Sequence, residues 1–99
     1  MNLQYLIFDA SEDGEGQGSW EAMASVRAGE LAALRAELQA VLDAAERQSP
    51  GPRGPLDEGG RWDADVHEQT EGDWTTLTLT LTGPWAWGEG LIAALSGED

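Results

Sequence analysis

Asp73-Trp74-Thr75-Thr76-Leu77-Thr78-Leu79-Thr80-Leu81-Thr82 alternates leucine with threonine over most of its length. Successive side chains of a strand point to opposite sides, so a period of two collects Leu77, Leu79 and Leu81 on one face and threonines on the other. A strand with one apolar face needs a layer to bury it. The rest of the chain must supply both that layer and the neighbouring strands.

The layer is read at residues 30–47. Leu31, Leu34, Leu38, Val41, Leu42 and Ala45 recur at steps of three and four, which places them on one helical stripe. The positions between them are nearly all Ala, Glu, Arg or Gln, which favour helix. Gly29 is read as the N-cap, with Glu30 at the positive helix start and Arg47 at the negative end. At about 1.5 Å per residue such a helix covers roughly 27 Å, the length of a strand of eight or nine residues. One pass of it therefore carries the chain back along a sheet.

Three further strands are read around this pair. Leu3-Gln4-Tyr5-Leu6-Ile7-Phe8 is apolar and aromatic on both alternating sides, and predicts a strand over 3–9 covered on both faces in the sheet interior. Residues 9–18, rich in Gly and carboxylates, read as a loop. Residues 19–26 alternate again, with Trp20, Ala22, Ala24 and Val26 on one side. Pro50, Pro52 and Pro55 with interspersed glycines make 48–60 a loop, which releases a strand over 61–67. A hairpin with an even loop, Glu71-Gly72 or Thr70 to Asp73, sets Val66 opposite Leu77, Ala64 opposite Leu79 and Trp62 opposite Leu81. The other side then pairs His67 with Thr76, Asp65 with Thr78 and Asp63 with Thr80, a wet surface. Beyond the strand over 74–82, Pro84 is placed to open a short helix over 85–95, which Gly88 and Gly90 weaken by about 1 kcal/mol each relative to Ala.

The result is an α+β protein, a single two-layer domain over 1–99 in the order ββαββ(α), with a four-stranded sheet and the main helix packed on one face. If the helix carries the chain back and the third strand joins the same sheet, the second and third strands run parallel, whereas the thirteen-residue link from Gln48 to Gly60 is long enough to reverse that direction. The order of the strands stays open.

Composition narrows the function. The 99 residues hold 19 Asp and Glu against 5 Arg and no Lys, a net charge of −14. Arg27, Arg35, Arg47, Arg53 and Arg61 all lie in the middle, so both ends are purely acidic. Affinity for phosphate comes from Lys and Arg, so direct nucleic-acid binding is disfavoured and a basic partner or a cation is the natural complement. With no cysteine, disulfides, thiolate nucleophiles and thiolate metal sites are excluded. The opening Met1-Asn2-Leu3-Gln4-Tyr5 lacks a basic n-region and a long apolar h-region, and no apolar run is long enough to span a bilayer. A cytoplasmic location is the expectation. Exclusive use of Arg over Lys, with abundant Ala and Gly, has the look of a GC-rich bacterial coding bias.

Two constellations are candidates for chemistry. In Asp9-Ala10-Ser11-Glu12-Asp13-Gly14-Glu15 the oxygen donors Asp9, Ser11, Asp13 and Glu15 alternate, with Gly at the sixth position, as at the start of a calcium loop. The twelfth position, where such loops carry a bidentate Glu, is Trp20, and the flanks read as strands, so a solvated acidic turn is the plainer expectation. The second constellation is the face bearing Asp63, Asp65 and His67 with Trp74, Thr76 and Thr78, a candidate partner-binding surface. Its ligands stand about 6.6 Å apart along a strand, too far to clasp one metal ion without distortion. Among the tryptophans, Trp20 and Trp62 fall on core faces and Trp74 on the threonine side. Trp85 and Trp87 straddle a turn and cannot both be fully buried.

The expected function is that of a small acidic non-enzymatic interaction module, of the inhibitor, immunity or adaptor kind, for a basic partner; a calcium-binding protein using residues 9–17 is the alternative. A sheet with an exposed edge also offers self-association. Self-repulsion at this charge strains the compact state, and added salt screens it. Raising NaCl from low to physiological concentration is therefore expected to raise the melting temperature; an unchanged midpoint in a thermal melt would refute this.

Overall fold

The computed structural model describes residues 3–95, with Leu56 described by its backbone only. Strands β1 (Phe8–Glu12) and β2 (Gln17–Arg27) form a hairpin, and helix α1 (Ala28–Arg47) follows. A short 3-10 turn at Leu56–Glu58 interrupts the next loop. Strands β3 (Asp63–Glu71) and β4 (Trp74–Pro84) form a second hairpin, and helix α2 (Trp85–Leu95) completes the domain. The four strands make one sheet in the order β1-β2-β4-β3, with every neighbour antiparallel. Strands β2 and β3 run parallel, so the 48–60 link does not reverse the direction set by the returning helix, and β4 is inserted between them.

The leucine face is buried. Leu77, Leu79 and Leu81 pair across β2 with Ala24, Ala22 and Trp20, and all three leucines are at most 1% exposed. Leu34, Val41, Ala44 and Ala45 of α1 lie buried over this side, with Leu31, Leu38 and Leu42 partly buried around them. Thr75 is the one threonine of the alternation that falls on the leucine side. Its buried hydroxyl is satisfied by Thr70 at 2.9 Å.

Several boundaries differ from the sequence reading. Residues 3–7 lie outside the sheet, and β1 is a short edge strand, not an interior one. The reason is a long-range contact: the Glu37 carboxylate of α1 accepts the backbone N–H groups of Gln4, Tyr5 and Leu6, the last two at 2.9 and 2.8 Å. Those amides are satisfied without a ladder, and Leu6 is buried in the core. The presumed loop shrinks to a tight connection, where Gly14 and Gly16 take φ of 83° and 85°. Helix α1 begins two residues early, so Arg27 is the N-cap and Gly29 lies inside the helix.

The register of the second hairpin is shifted by two. Val66 faces Leu79 and Ala64 faces Leu81, and the polar pairs are His67 with Thr78, Asp65 with Thr80 and Asp63 with Thr82. Gly72 decides this. Its φ of 62° puts it first in a Gly72-Asp73 turn, where a type II′ turn needs positive φ. A shift of two keeps every side chain on its face, which is why the apolar pattern survives it. Toward the end of β3, Glu68 faces Leu77 on the helix side. Arg35 of α1 meets it with two parallel bonds of 2.9 and 2.8 Å, and this hydrogen bonding holds the Glu68 carboxyl below its ordinary range although burial opposes it.

Helix α2 packs on the other end of the leucine face, through tryptophan and glycine. Trp20 stacks on Trp85 at 5.4 Å and meets Trp87 edge-on at 6.0 Å, while Trp62 lies 5.5 Å from Trp87. Trp87 is buried and Trp85 half-buried, in keeping with the expectation that one of them stays in contact with solvent. A Cβ on Gly88 would stand 2.0 Å from the Trp20 ring, and one on Gly83 would stand 2.7 Å from the Trp87 ring. The indoles therefore lie directly on bare backbone. Gly90, in the same helix, has nothing within 4 Å. Ala is favoured over Gly in a helix by about 1 kcal/mol, whereas overpacking a tight core costs about 1–3 kcal/mol and sometimes more. Gly88→Ala is expected to lower stability by about 2 kcal/mol, while Gly90→Ala raises it by up to about 1 kcal/mol; paired thermal melts that moved in the same direction would contradict the packing described.

Candidate functional site

Among the described residues, nothing covers the sheet face opposite the helices. Pairing across all four strands arranges it in rows: Ser11-Ser19-Thr82-Asp63, then Asp9-Glu21-Thr80-Asp65, both spanning the sheet. Three shorter rows follow, Met23-Thr78-His67, Ser25-Thr76-Gln69 and Arg27-Trp74-Glu71. The sequence candidates Asp63, Asp65, His67, Trp74, Thr76 and Thr78 all stand on this one face, and Asp9 and Ser11 join them from β1.

Alternation explains the polarity. Strands covered on one side only carry apolar residues inward and polar ones outward; β2 and β4 follow this with Thr75 as the inward exception and Met23 and Trp74 as large apolar residues on the outward side. Met23 is 60% exposed in the middle row and Trp74 is 46% exposed in the last. The Arg27 guanidinium sits 4.8 Å over the Trp74 ring, a cation–π contact that fixes that end of the face. Hydroxyls of Ser25 and Thr76 bond at 2.6 Å. Against Asp9, Glu21, Asp63, Asp65 and Glu71, the face holds Arg27, and Arg53 reaches Asp63 from the neighbouring loop at 3.3 Å. The surplus is negative, and it is concentrated in the first two rows.

The calcium-loop candidates do not converge. Asp9 and Ser11 stand along strand β1 on the open sheet face, opposite Glu21 and Ser19, and do not belong to the turn that holds Asp13 and Glu15. Asp13 turns its Oδ1 back on its own connection, accepting from the amides of Glu15 at 2.7 Å and Gln17 at 3.2 Å. Glu15 is an exposed turn residue. Among the described residues no group of three or more His, Asp or Glu side chains is placed to hold a metal ion. The alternating oxygens of residues 9–15 are thus the outward face of a strand followed by an Asx-type turn.

A concave site was missed by the sequence reading. A cavity of about 420 Å³ opens at the acidic end of the face, and the first row of Ser11, Ser19, Thr82 and Asp63 contributes to its lining. Glu12 and Asp13 of the hairpin wall one side, and the 54–62 loop walls the other. That loop is held by its own backbone: Gly54 N–H donates to Trp62 O at 2.8 Å, Gly60 N–H to Pro55 O at 2.9 Å and Arg61 N–H to Pro52 O at 2.7 Å. A Cβ on Gly60 would collide with the Gly54 carbonyl, so the two arms close only because Gly60 has none. The interspersed glycines of the 48–60 loop, Gly54 and Gly60 among them, were the available signal.

No protein-family model, curated protein or solved structure matches the chain. Among the described residues no helix is long and apolar enough to cross a membrane. With Asp9 and Ser11 along the strand and Asp13 and Glu15 in the turn beyond it, no metal-holding group forms among the described residues, and millimolar calcium is expected to leave the tryptophan emission and the melting temperature unchanged beyond the effect of matched ionic strength. A saturable calcium-specific change would restore the cation reading.

Proposed function

We propose that this protein is a non-enzymatic interaction module whose uncovered sheet face docks a basic protein. The observation that supports this most directly is the face itself: four strands present a wide polar surface with no layer over it among the described residues, carrying Asp9, Glu21, Asp63, Asp65 and Glu71 around an exposed Met23. Met in such a place adapts its shape to a partner, and Trp74 offers a rigid aromatic contact at one end. The acidic rows supply long-range attraction. At a net charge of −14 a second copy of this chain is repelled while a basic protein is steered in, with an on-rate that falls as salt rises.

The test compares two variants with the same change of charge. Asp65→Lys alters the open face, and Glu46→Lys alters an exposed position of α1 on the opposite layer. Affinity capture from a lysate of the source organism is expected to retain a basic protein with wild type and Glu46→Lys and to lose it with Asp65→Lys. Equal loss with both variants would reduce the effect to net charge and reject the face as the docking surface.

A further inference from the structure

We propose that the cavity between the β1–β2 hairpin and the 54–62 loop is the receptor for one arginine side chain of the basic partner; the inference rests on the docking reading above and names its anchor point. A volume of about 420 Å³ lies at the small end of ligand pockets, enough for a single long side chain and too little for a large cofactor. It adjoins the docking face directly, because its Ser11-Ser19-Thr82-Asp63 row is the first row of that face.

The lining fits a guanidinium. Glu12, Asp13 and Asp63 bring three carboxylates against Arg61, whose aliphatic stem packs on Gly51, and against Arg53, which pairs with Asp63 from outside the lining. Two of these carboxylates are already oriented. Asp13 is held through Oδ1 by the amides of Glu15 and Gln17, and Asp63 through Oδ1 by the Ala64 amide at 2.8 Å and by Arg53. In each the Oδ2 atom makes no hydrogen bond among the described residues, and neither oxygen of Glu12 does. Oriented acceptors with a vacant oxygen suit the fixed fork of a guanidinium, and the hydroxyls of Ser11, Ser19 and Thr82 add further acceptors. The next row places Asp9, Glu21 and Asp65 behind them, so the potential favours a cation over the whole approach.

Rigidity of the back wall supports the same assignment. Gly18 and Gly83 line the cavity, and on their other side the rings of Trp85 and Trp87 stand where a Cβ would be. The cavity is therefore backed by the packed indole cluster and does not need to form on binding. Preorganisation of this kind reduces the ordering cost of association.

The probe is N-acetyl-L-arginine amide, titrated into the 15N-labelled full chain, with N-acetyl-L-citrulline amide as the uncharged control of nearly the same shape. Saturable shifts are expected at the Thr82 and Gly83 amides and the Trp62 indole N–H with the arginine compound, and none with citrulline. Glu12→Gln, at an exposed end of an edge strand, is expected to weaken binding about fivefold, the equivalent of one modest hydrogen-bonding contribution, without moving the melting temperature. Equal shifts with citrulline, or no saturable shift at the cavity, would overturn the assignment. If the cavity fails while Asp65→Lys still abolishes partner capture, the docking face stands without this anchor; if arginine binds in the cavity while capture ignores Asp65, the docking face falls and the cavity remains a cation receptor.

Discussion

The Trp20 ring resting on the bare backbone of Gly88 is the contact on which the rest of the structure depends. It joins the hairpin strand β2 to the distant helix α2 and, through the Trp87 ring on Gly83, to the end of β4, which runs directly into that helix. The Trp20 indole N–H meets Glu89 at 3.3 Å, so the ring is held at its polar edge as well as by packing. The α2 start is tied to the same place, with the Trp85 amide donating to Gly16 O at 2.8 Å. An aromatic cluster can approach backbone this closely only where side chains are missing, and Gly18, Gly83 and Gly88 are where they are missing.

This packing divides the domain into two ends with different physical character. Over one half of the leucine face, α1 supplies aliphatic side chains and two carboxylate contacts, Arg35 with Glu68 and Glu37 with the amides of residues 4–6. Over the other half, indoles and glycines make a stiff plate. The stiff end backs the cavity, and the aliphatic end leaves the opposite sheet surface broad and open. Charge follows the same division, because the acidic rows lie toward the tryptophan end while Arg27 and Trp74 close the far one.

How much of this was legible depends on how far apart the determining residues lie. The 74–82 alternation and the 31–45 stripe are local periods, and they gave the layers, the faces and the α+β order directly. All six partner-face candidates landed on one surface for the same reason, since parity along a strand survives an even register shift. The register itself turned on a single φ at Gly72. Residues 3–7 were misplaced because their hydrogen-bond acceptor, Glu37, is about thirty residues away and carries no local signature. Gly88 looked like a weakness in a short helix, and its purpose as a seat for Trp20 depends on a ring 68 positions earlier in the sequence. The cavity needed two loops to meet, which no pattern along the chain records.

The glycine–tryptophan contacts also carry an evolutionary consequence. Leucines on the sheet can exchange with isoleucine, valine or methionine under modest cost, so sequences descended from a common ancestor drift apart quickly over that region. Positions 18, 20, 83, 87 and 88 have no such latitude: enlarging a glycine strikes an indole, and shrinking an indole opens a hole over backbone. Distant kin of this chain should therefore be found less by overall identity than by a sparse fingerprint, Gly-x-Trp on one strand and Gly-Pro-Trp-x-Trp-Gly where another strand turns into a helix.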